Sequence, residues 1–431
     1  MLIKNRTQIC FALILSLSTV CSVVDVVASG KRPDSHLIPS IATIVKVITE
    51  KNPEIQSANS ALQAASARLS GAKLPLYNPE IEVDSERLKE NGDPVYTTKI
   101  GISQSIDWHG KSSSNARVAE EEVRLYTEKL EEKRFRIIGE IMNVLIRYKG
   151  IQQVSLLNQK RVDLLRRFLD LSEQRRAAGD VGEAEVFLAK VALDKAIMEQ
   201  AHKNAELVGL EGKFQRLGGI VPINLPDFPA HPPLLKINEG DLTALANNHP
   251  EVRAALLNNG LFSSRVTAAD SNRKVDPKIG LTVGRQDNKG NNGTIVSLNF
   301  SIPIPIRNDF SSSVTVAQQE KIQAEYDANN TLQQVIGEMD GARKKYQSLY
   351  DAWRHWQEGG RTNLDKQLGL LERFWKTGEI PSSDYLVQLQ QIIDTQISGK
   401  ETHGQVWISW VEWLIASGRV GEWLLLKNEE K

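Results

Sequence analysis

The sequence predicts a mainly α-helical chain with a small membrane-type β-sheet, and three observations carry that reading. Between Thr97 and Trp108, Ile100, Ile102, Ile106 and Trp108 share one parity while Lys99, Gly101, Ser103, Ser105 and Asp107 share the other. A strand with one apolar and one polar face suits a boundary between lipid and water. About two hundred residues later the event recurs, with Val296, Leu298, Phe300, Ile302 and Ile304 alternating with Ser297, Asn299, Ser301 and Pro303. Each strand then feeds a helix of unusual length. From Ser114 to about Ala178 no proline intervenes, and Ile137, Ile141, Val144, Tyr148 and Ile151 follow the alternating four-and-three spacing of a coiled-coil seam. The chain reads as one elongated body made of two similar halves.

Lys4 and Arg6 precede an apolar run from Ile9 to Val24, with Ala28 and Ser29 after it, so residues 1–28 read as a secretory signal peptide. The alternatives are a retained anchor, for which the run falls short of ~20 residues, and lipidation at Cys21, before which Val20 stands where a small residue is wanted. Cys10 and Cys21 both lie in this segment. The mature chain then has no disulfide and no thiolate metal site.

The first half spans 40–217. Ile41, Ile44, Val45 and Ile48 predict a short amphipathic helix, and Asn52-Pro53-Glu54 restarts one that runs to about Lys73. A β-hairpin follows over 79–108, in which Ile81 and Val83 alternate with Glu80, Glu82, Asp84 and Glu86 around a turn at Asn91–Pro94. A long helical hairpin follows over 114–216, broken at Gly179 and Gly182. The proline-rich segment 218–236 links the halves. The second half, 237–431, retraces the first. Asn248-His249-Pro250-Glu251 echoes Asn52-Pro53-Glu54, and Asp276-Pro277-Lys278-Ile279 echoes Asn78-Pro79-Glu80-Ile81. A hairpin over 277–304 precedes a helical hairpin over 313–425 that breaks at Gly378. Its first helix carries Leu332, Ile336, Met339, Tyr346, Tyr350 and Trp353 at seam spacing, with Arg343 the one intruder; its second carries Leu386, Leu389, Ile393 and Ile397.

Four strands cannot close a barrel, because an open edge in lipid leaves backbone groups unpaired at several kcal/mol each. The chain must therefore associate, and three copies would supply twelve strands, with helical hairpins continuing the barrel as a tube. The two helix starts, the paired hairpins, Gly110-Lys111, the Ser-Ile-Pro-Ile-Pro-Ile-Arg-Asn run from Ser301 and the two basic-Gly-acidic tips together resemble the TolC family of outer-membrane factors. That resemblance implies a homotrimer in the outer membrane of a Gram-negative bacterium, with a β-barrel in lipid and an α-helical barrel in the periplasm. It implies a periplasmic adaptor and an inner-membrane pump as partners. Gly110-Lys111 and Ile302–Asn308 look most like the heavy-metal, CzcC-like branch, whose pumps are of the RND type. Ser112 and Phe310-Ser311 depart from it, standing where that branch has a second basic residue and a glycine. The alternatives are a drug-efflux or type I secretion duct, and a periplasmic coiled-coil scaffold with no pore.

No enzyme motif, metal spacing or phosphate loop is visible, and neither a cofactor nor nucleic acid is expected. His249 reads as a helix cap. Glu80, Glu82, Asp84 and Glu86 form an acidic stripe that faces the lumen if Ile81 and Val83 face lipid, biasing a pore toward cations, with Lys99 and Lys278 offsetting part of the charge. At the tips stand Arg175, Arg176, Gly179, Asp180, Glu183 and Glu185 in the first hairpin, and Arg373, Lys376, Gly378, Glu379 and Asp384 in the second. The resemblance places gating and adaptor contact there, with acids and bases pairing across helices; ordinary helix capping is the plainer reading. Trp353, Trp356, Trp375, Trp407, Trp410 and Trp413 read as helix packing and subunit contact rather than ligand stacking.

Overall fold

A computed structural model of the chain describes residues 41–90, 93–219, 225, 229, 231–235, 241–288, 291–359 and 361–421. The signal segment 1–28 with both cysteines, most of the 218–236 linker, turn residues Asn91 and Gly92, and everything after residue 421 lie outside them. The elements run α1 (Ile41–Lys51), α2 (Pro53–Ala72), β1 (Glu80–Glu90), β2 (Asp93–Ser105), α3 (Lys111–Ala177) and α4 (Glu183–Arg216). Then come α5 (Asp241–Asn247), α6 (Pro250–Asn272), β3 (Lys278–Asn288), β4 (Asn291–Ser301), α7 (Ser311–Gly359), α8 (Arg361–Lys376) and α9 (Ser382–Ala416). The chain is mostly helical with one four-stranded antiparallel sheet in the order β1-β2-β3-β4.

Caps fix the helix starts. Asn52 Oδ1 accepts from the N–H of Glu54 and of Ile55, while its Nδ2 donates to the Leu217 carbonyl at the end of α4. His249 does the same for α6: Nδ1 accepts from Glu251 N at 3.3 Å, so Nε2 carries the proton directed at the Ile415 carbonyl, 3.2 Å away. Each cap therefore also ties a short helix to the end of a long one.

At about 1.5 Å per residue, the 67 residues of α3 extend roughly 100 Å. Two large apolar clusters lie along this length. The upper joins α1, Ile137, Ile141 and Leu145 of α3, Phe214, Met339 and the Trp407–Leu414 stretch of α9. The lower joins Val162, Leu165 and Phe168 to α4, Trp375 and Leu389. Between them α3 carries a buried polar layer. Ser155 donates to Asn204, Asn158 is 3% exposed, and the Arg161 side chain, 3% exposed, pairs with Glu199 of α4 at 2.6 Å and Asp394 of α9 at 3.1 Å. Arg343 is likewise buried and pairs with Asp340 one turn back, at 2.7 Å.

Several boundaries differ from the sequence reading. The β2 ladder ends at Ser105 instead of reaching Trp108, and α3 begins at Lys111, three residues before Ser114. Helix α9 stops at Ala416, not near 425, because Gly418 takes a left-handed backbone (φ 72) and Arg419 N closes back onto the Leu414 carbonyl.

Candidate functional site

The sheet separates its side chains by chemistry. Ile81, Ile102, Leu281 and Leu298 stand in one row across all four strands, and Val83, Ile100, Val283 and Val296 in the next. All eight are exposed, Leu298 by 77%. Water penalises such a surface at roughly 25 cal/mol per Å², which is why a contiguous apolar face marks a contact surface. The opposite face carries Glu80, Glu82, Asp84 and Glu86, which are also exposed. Their charge is partly met: Lys278 of β3 reaches Glu80 at 2.7 Å and Glu82 at 3.0 Å, Ser103 donates to Glu82, and Asp84 stands opposite Lys99. Among the described residues, strands β1 and β4 have no neighbour on their outer sides.

Where β2 gives way to α3, Asp276 gathers the chain together. Its side chain is 4% exposed and 3.0 Å from Lys111 Nζ. Tyr77 donates its hydroxyl proton to Oδ2 at 2.7 Å, and Trp108 donates its N–H to Oδ1 at 3.3 Å. Burial pulls the Asp276 carboxyl up, but the Tyr77 and Lys111 donors outweigh it and hold the carboxyl below its ordinary range. Burial and the same bond push the Tyr77 hydroxyl up to about 12. Asp107 caps α3, accepting from the N–H of Lys111 and of Ser112 at 2.7 and 2.8 Å. Sequence reasoning missed this centre. The signals were the aspartate before Pro277 and the lone cation at Lys111.

The tips repeat one hydrogen-bond pattern. Gly179 N donates to Arg176 O and Asp180 N to Arg175 O; Gly378 N donates to Trp375 O and Glu379 N to Phe374 O. Gly179 (φ 85) and Gly378 (φ 78) take the left-handed backbone that this closure needs. Among the described residues of one chain, Asp180, Glu183, Glu185, Glu379 and Asp384 make no ion pair with Arg175, Arg176, Arg373 or Lys376. The charges have local tasks. Glu183 and Glu185 stand in the first turn of α4 and Asp384 in that of α9, Lys376 pairs with Glu372 at 2.8 Å, and Glu379 accepts from Thr377. Arg176 and Arg373 are exposed in the last turns of α3 and α8.

Arg175 joins the two hairpins differently. Its guanidinium lies 5.0 Å from the Trp375 ring centre and points Nη2 at the Trp375 and Lys376 carbonyls, 3.4 Å away, where the negative end of the α8 dipole sits. Trp375 in turn stacks on Tyr385 (4.6 Å, 18°) and meets Phe168 at 4.7 Å, and its indole N–H donates to Ser382 Oγ. Burial pushes the Tyr385 hydroxyl up to about 12.

Among the described residues, no group of three or more His, Cys, Asp or Glu side chains converges to hold a metal, and no helix is long and apolar enough to cross a membrane.

No protein-family model matches the chain, and no curated protein matches it in sequence. Solved structures do. A membrane protein from Pseudomonas aeruginosa is similar at a TM-score of 0.73 and 16% identity, over 91% of this chain and 99% of that one. The outer membrane channel CmeC of Campylobacter jejuni gives 0.71 and 15%, over 91% and 89%. CusC, a transmembrane channel, gives 0.66 and 13%, over 90% and 95%. At these identities the likeness is one of fold.

Proposed function

We propose that this chain, which has the fold of the outer-membrane channels, is a TolC-family export duct in the outer membrane, extending into the periplasm. Three copies close a twelve-stranded barrel and continue it as a helical tube, each chain contributing two strand-and-helix units. The observation that carries this reading is the four-stranded sheet with an apolar, exposed face and two edges left unpaired among the described residues, joined to long helical hairpins. A scaffold confined to water gains nothing from eight aliphatic side chains held open to it. The likeness to the solved channels CmeC and CusC over about nine-tenths of the chain supports the same reading. A periplasmic adaptor docks at the tips, and an inner-membrane pump supplies the energy; the duct performs no chemistry.

We further propose heavy-metal cations, delivered by an RND-type pump, as the cargo. The support is the resemblance of Gly110-Lys111 and of Ile302–Asn308 to the heavy-metal branch, together with the acidic stripe of Glu80, Glu82, Asp84 and Glu86. Metal passes without being held.

A deletion strain compared with its complemented parent on graded zinc, cobalt, cadmium, nickel, copper and silver, beside dyes and antibiotics, tests the cargo. Sensitivity to metals alone is expected. Sensitivity confined to drugs overturns the metal reading and leaves the drug-efflux alternative. Heat-sensitive trimers in outer-membrane extracts test the duct itself, and their absence returns the pore-free scaffold.

A further inference from the structure

The two crossings from strand to helix start from matching places in the sheet. Ile81 stands opposite Ile102 in one hairpin, and Ile279 opposite Phe300 in the other. From these positions each chain segment runs to a residue with left-handed backbone directly before the helix, Gly110 (φ 67) in the first and Phe310 (φ 56) in the second. What surrounds the two is different. The first crossing is closed by Asp276, which precedes β3, the strand beside β2. The second has no such group: residues 301–310 are exposed throughout, and the helix start is capped only locally, by Asn308 accepting from Phe310 N and Asp309 from Ser311 N.

The residue that matches Asp276 is Asn78, each lying two positions ahead of the first paired residue of its strand, before Pro79 and Pro277. Asn78 leads into β1, which lies at the far edge of the sheet from β4. It is exposed and, among the described residues, its side chain makes no hydrogen bond. We infer that the second crossing is unfinished within one chain and is completed by Asn78 of a neighbouring copy, whose β1 pairs with the open edge of β4 through Ile302 and Ile304.

Backbone alternation supports this pairing. Ile106 N donates to the Pro277 carbonyl at 2.9 Å, so the even-numbered residues at the end of β2 direct their N–H groups to the next strand. The same alternation on β4 directs the N–H groups of Ile302 and Ile304 to the open edge, and turns Pro303 and Pro305, which have none, toward β3. The prolines end the ladder to β3 at Ser301. The outward donors survive. The side chains agree: Lys111, first residue of α3, is matched by Ser311, first of α7, so the charged Asp276–Lys111 pair inside the chain corresponds to a neutral Asn78–Ser311 pair between copies. A neutral pair avoids stranding an ion near a surface whose partner arrives only on assembly.

This inference rests on the ring-forming reading above. The test is oxidation of the full chain carrying Asn78→Cys and Ser311→Cys together, read on heated, non-reducing gels. Covalent ladders up to three copies are expected from the double variant, and none from either single variant. Heat-sensitive oligomers without cross-linking overturn the contact while leaving the duct reading intact; absence of oligomers from the parent chain overturns both. Asn78→Asp gives an independent readout. It lowers the temperature at which the oligomer dissociates by several degrees, and Ser311→Lys in the same chain restores it; failure of that rescue counts against the pairing.

Discussion

At the hairpin tips Trp375 lies between Phe168 and Tyr385 with its N–H on Ser382 and Arg175 over its face, whereas in the sheet Ile81, Leu298 and Phe300 are more than three-fifths exposed. The tip satisfies its own aromatic rings, turn amides and helix-end carbonyls within a single chain. The sheet satisfies only its inner strands. On the proposed reading, a chain that completes one region and leaves another with open edges and an apolar face associates through the second. Contacts at the tip then set how the hairpins are held, not whether copies meet.

The comparison breaks most visibly at Trp375. Trp375→Ala removes a buried aromatic worth about 3–5 kcal/mol, so amides of residues 162–193 and 371–393 are expected to exchange about a hundredfold faster or more, while those of the sheet and the upper cluster keep their protection. Equal loosening at both ends would mean that the tip is not a separate unit.

Asp276→Asn, at the finished strand-to-helix crossing, strands the nearly enclosed Lys111 ammonium and is expected to cost about 3 kcal/mol. Its pH dependence has a definite sign. Asp276 is held below its unfolded value, so its stabilisation is complete above an ordinary carboxylate pKa of about 3.9 and fades as pH falls through the depressed folded value. Melting curves between neutral and acid pH should show a steeper acid loss for the parent than for the asparagine variant; parallel curves would exclude Asp276 as the source.

The smallest effects are a pair of opposite sign. Gly378→Ala places a Cβ in a left-handed backbone with open space around it, a loss of about 1 kcal/mol, and Phe310→Gly relieves the same conformation, a gain of about 1 kcal/mol, both read by thermal melting. If Phe310→Gly destabilises instead, the ring is serving a contact that a single chain does not contain.

Much of the fold was legible because its signals are periodic and local. The alternation at Ile100 and Ile102 and at Val296 and Leu298 marks strands, and the glycines that follow long proline-free runs, Gly179 with Gly182 and Gly378, mark the tips. What escaped depends on partners far along the chain. Nothing near Trp108 announces that Asp276 takes its N–H in place of a further ladder bond, and Asp107 caps α3 across a left-handed Gly110, outside the usual capping spacing. The tip charges look like a pairing network, yet Arg175 spends its guanidinium on a tryptophan about two hundred residues away. The acidic stripe was legible as a face, while the reach of Lys278 across β2 to Glu80 and Glu82 needed coordinates.

The buried layer at Arg161 has a mechanical consequence. Apolar side chains slide past one another with little change in energy until a ridge is crossed, but a sealed guanidinium held by one carboxylate from α4 and one from α9 admits a single alignment. Displacing α4 by a turn would bring Lys195 or Lys203 toward the cation in place of Glu199, and displacing α9 would bring Gln390 or Ser398 in place of Asp394. The layer therefore works as a key, fixing the register of α3 against α4 and α9 at one point along their length.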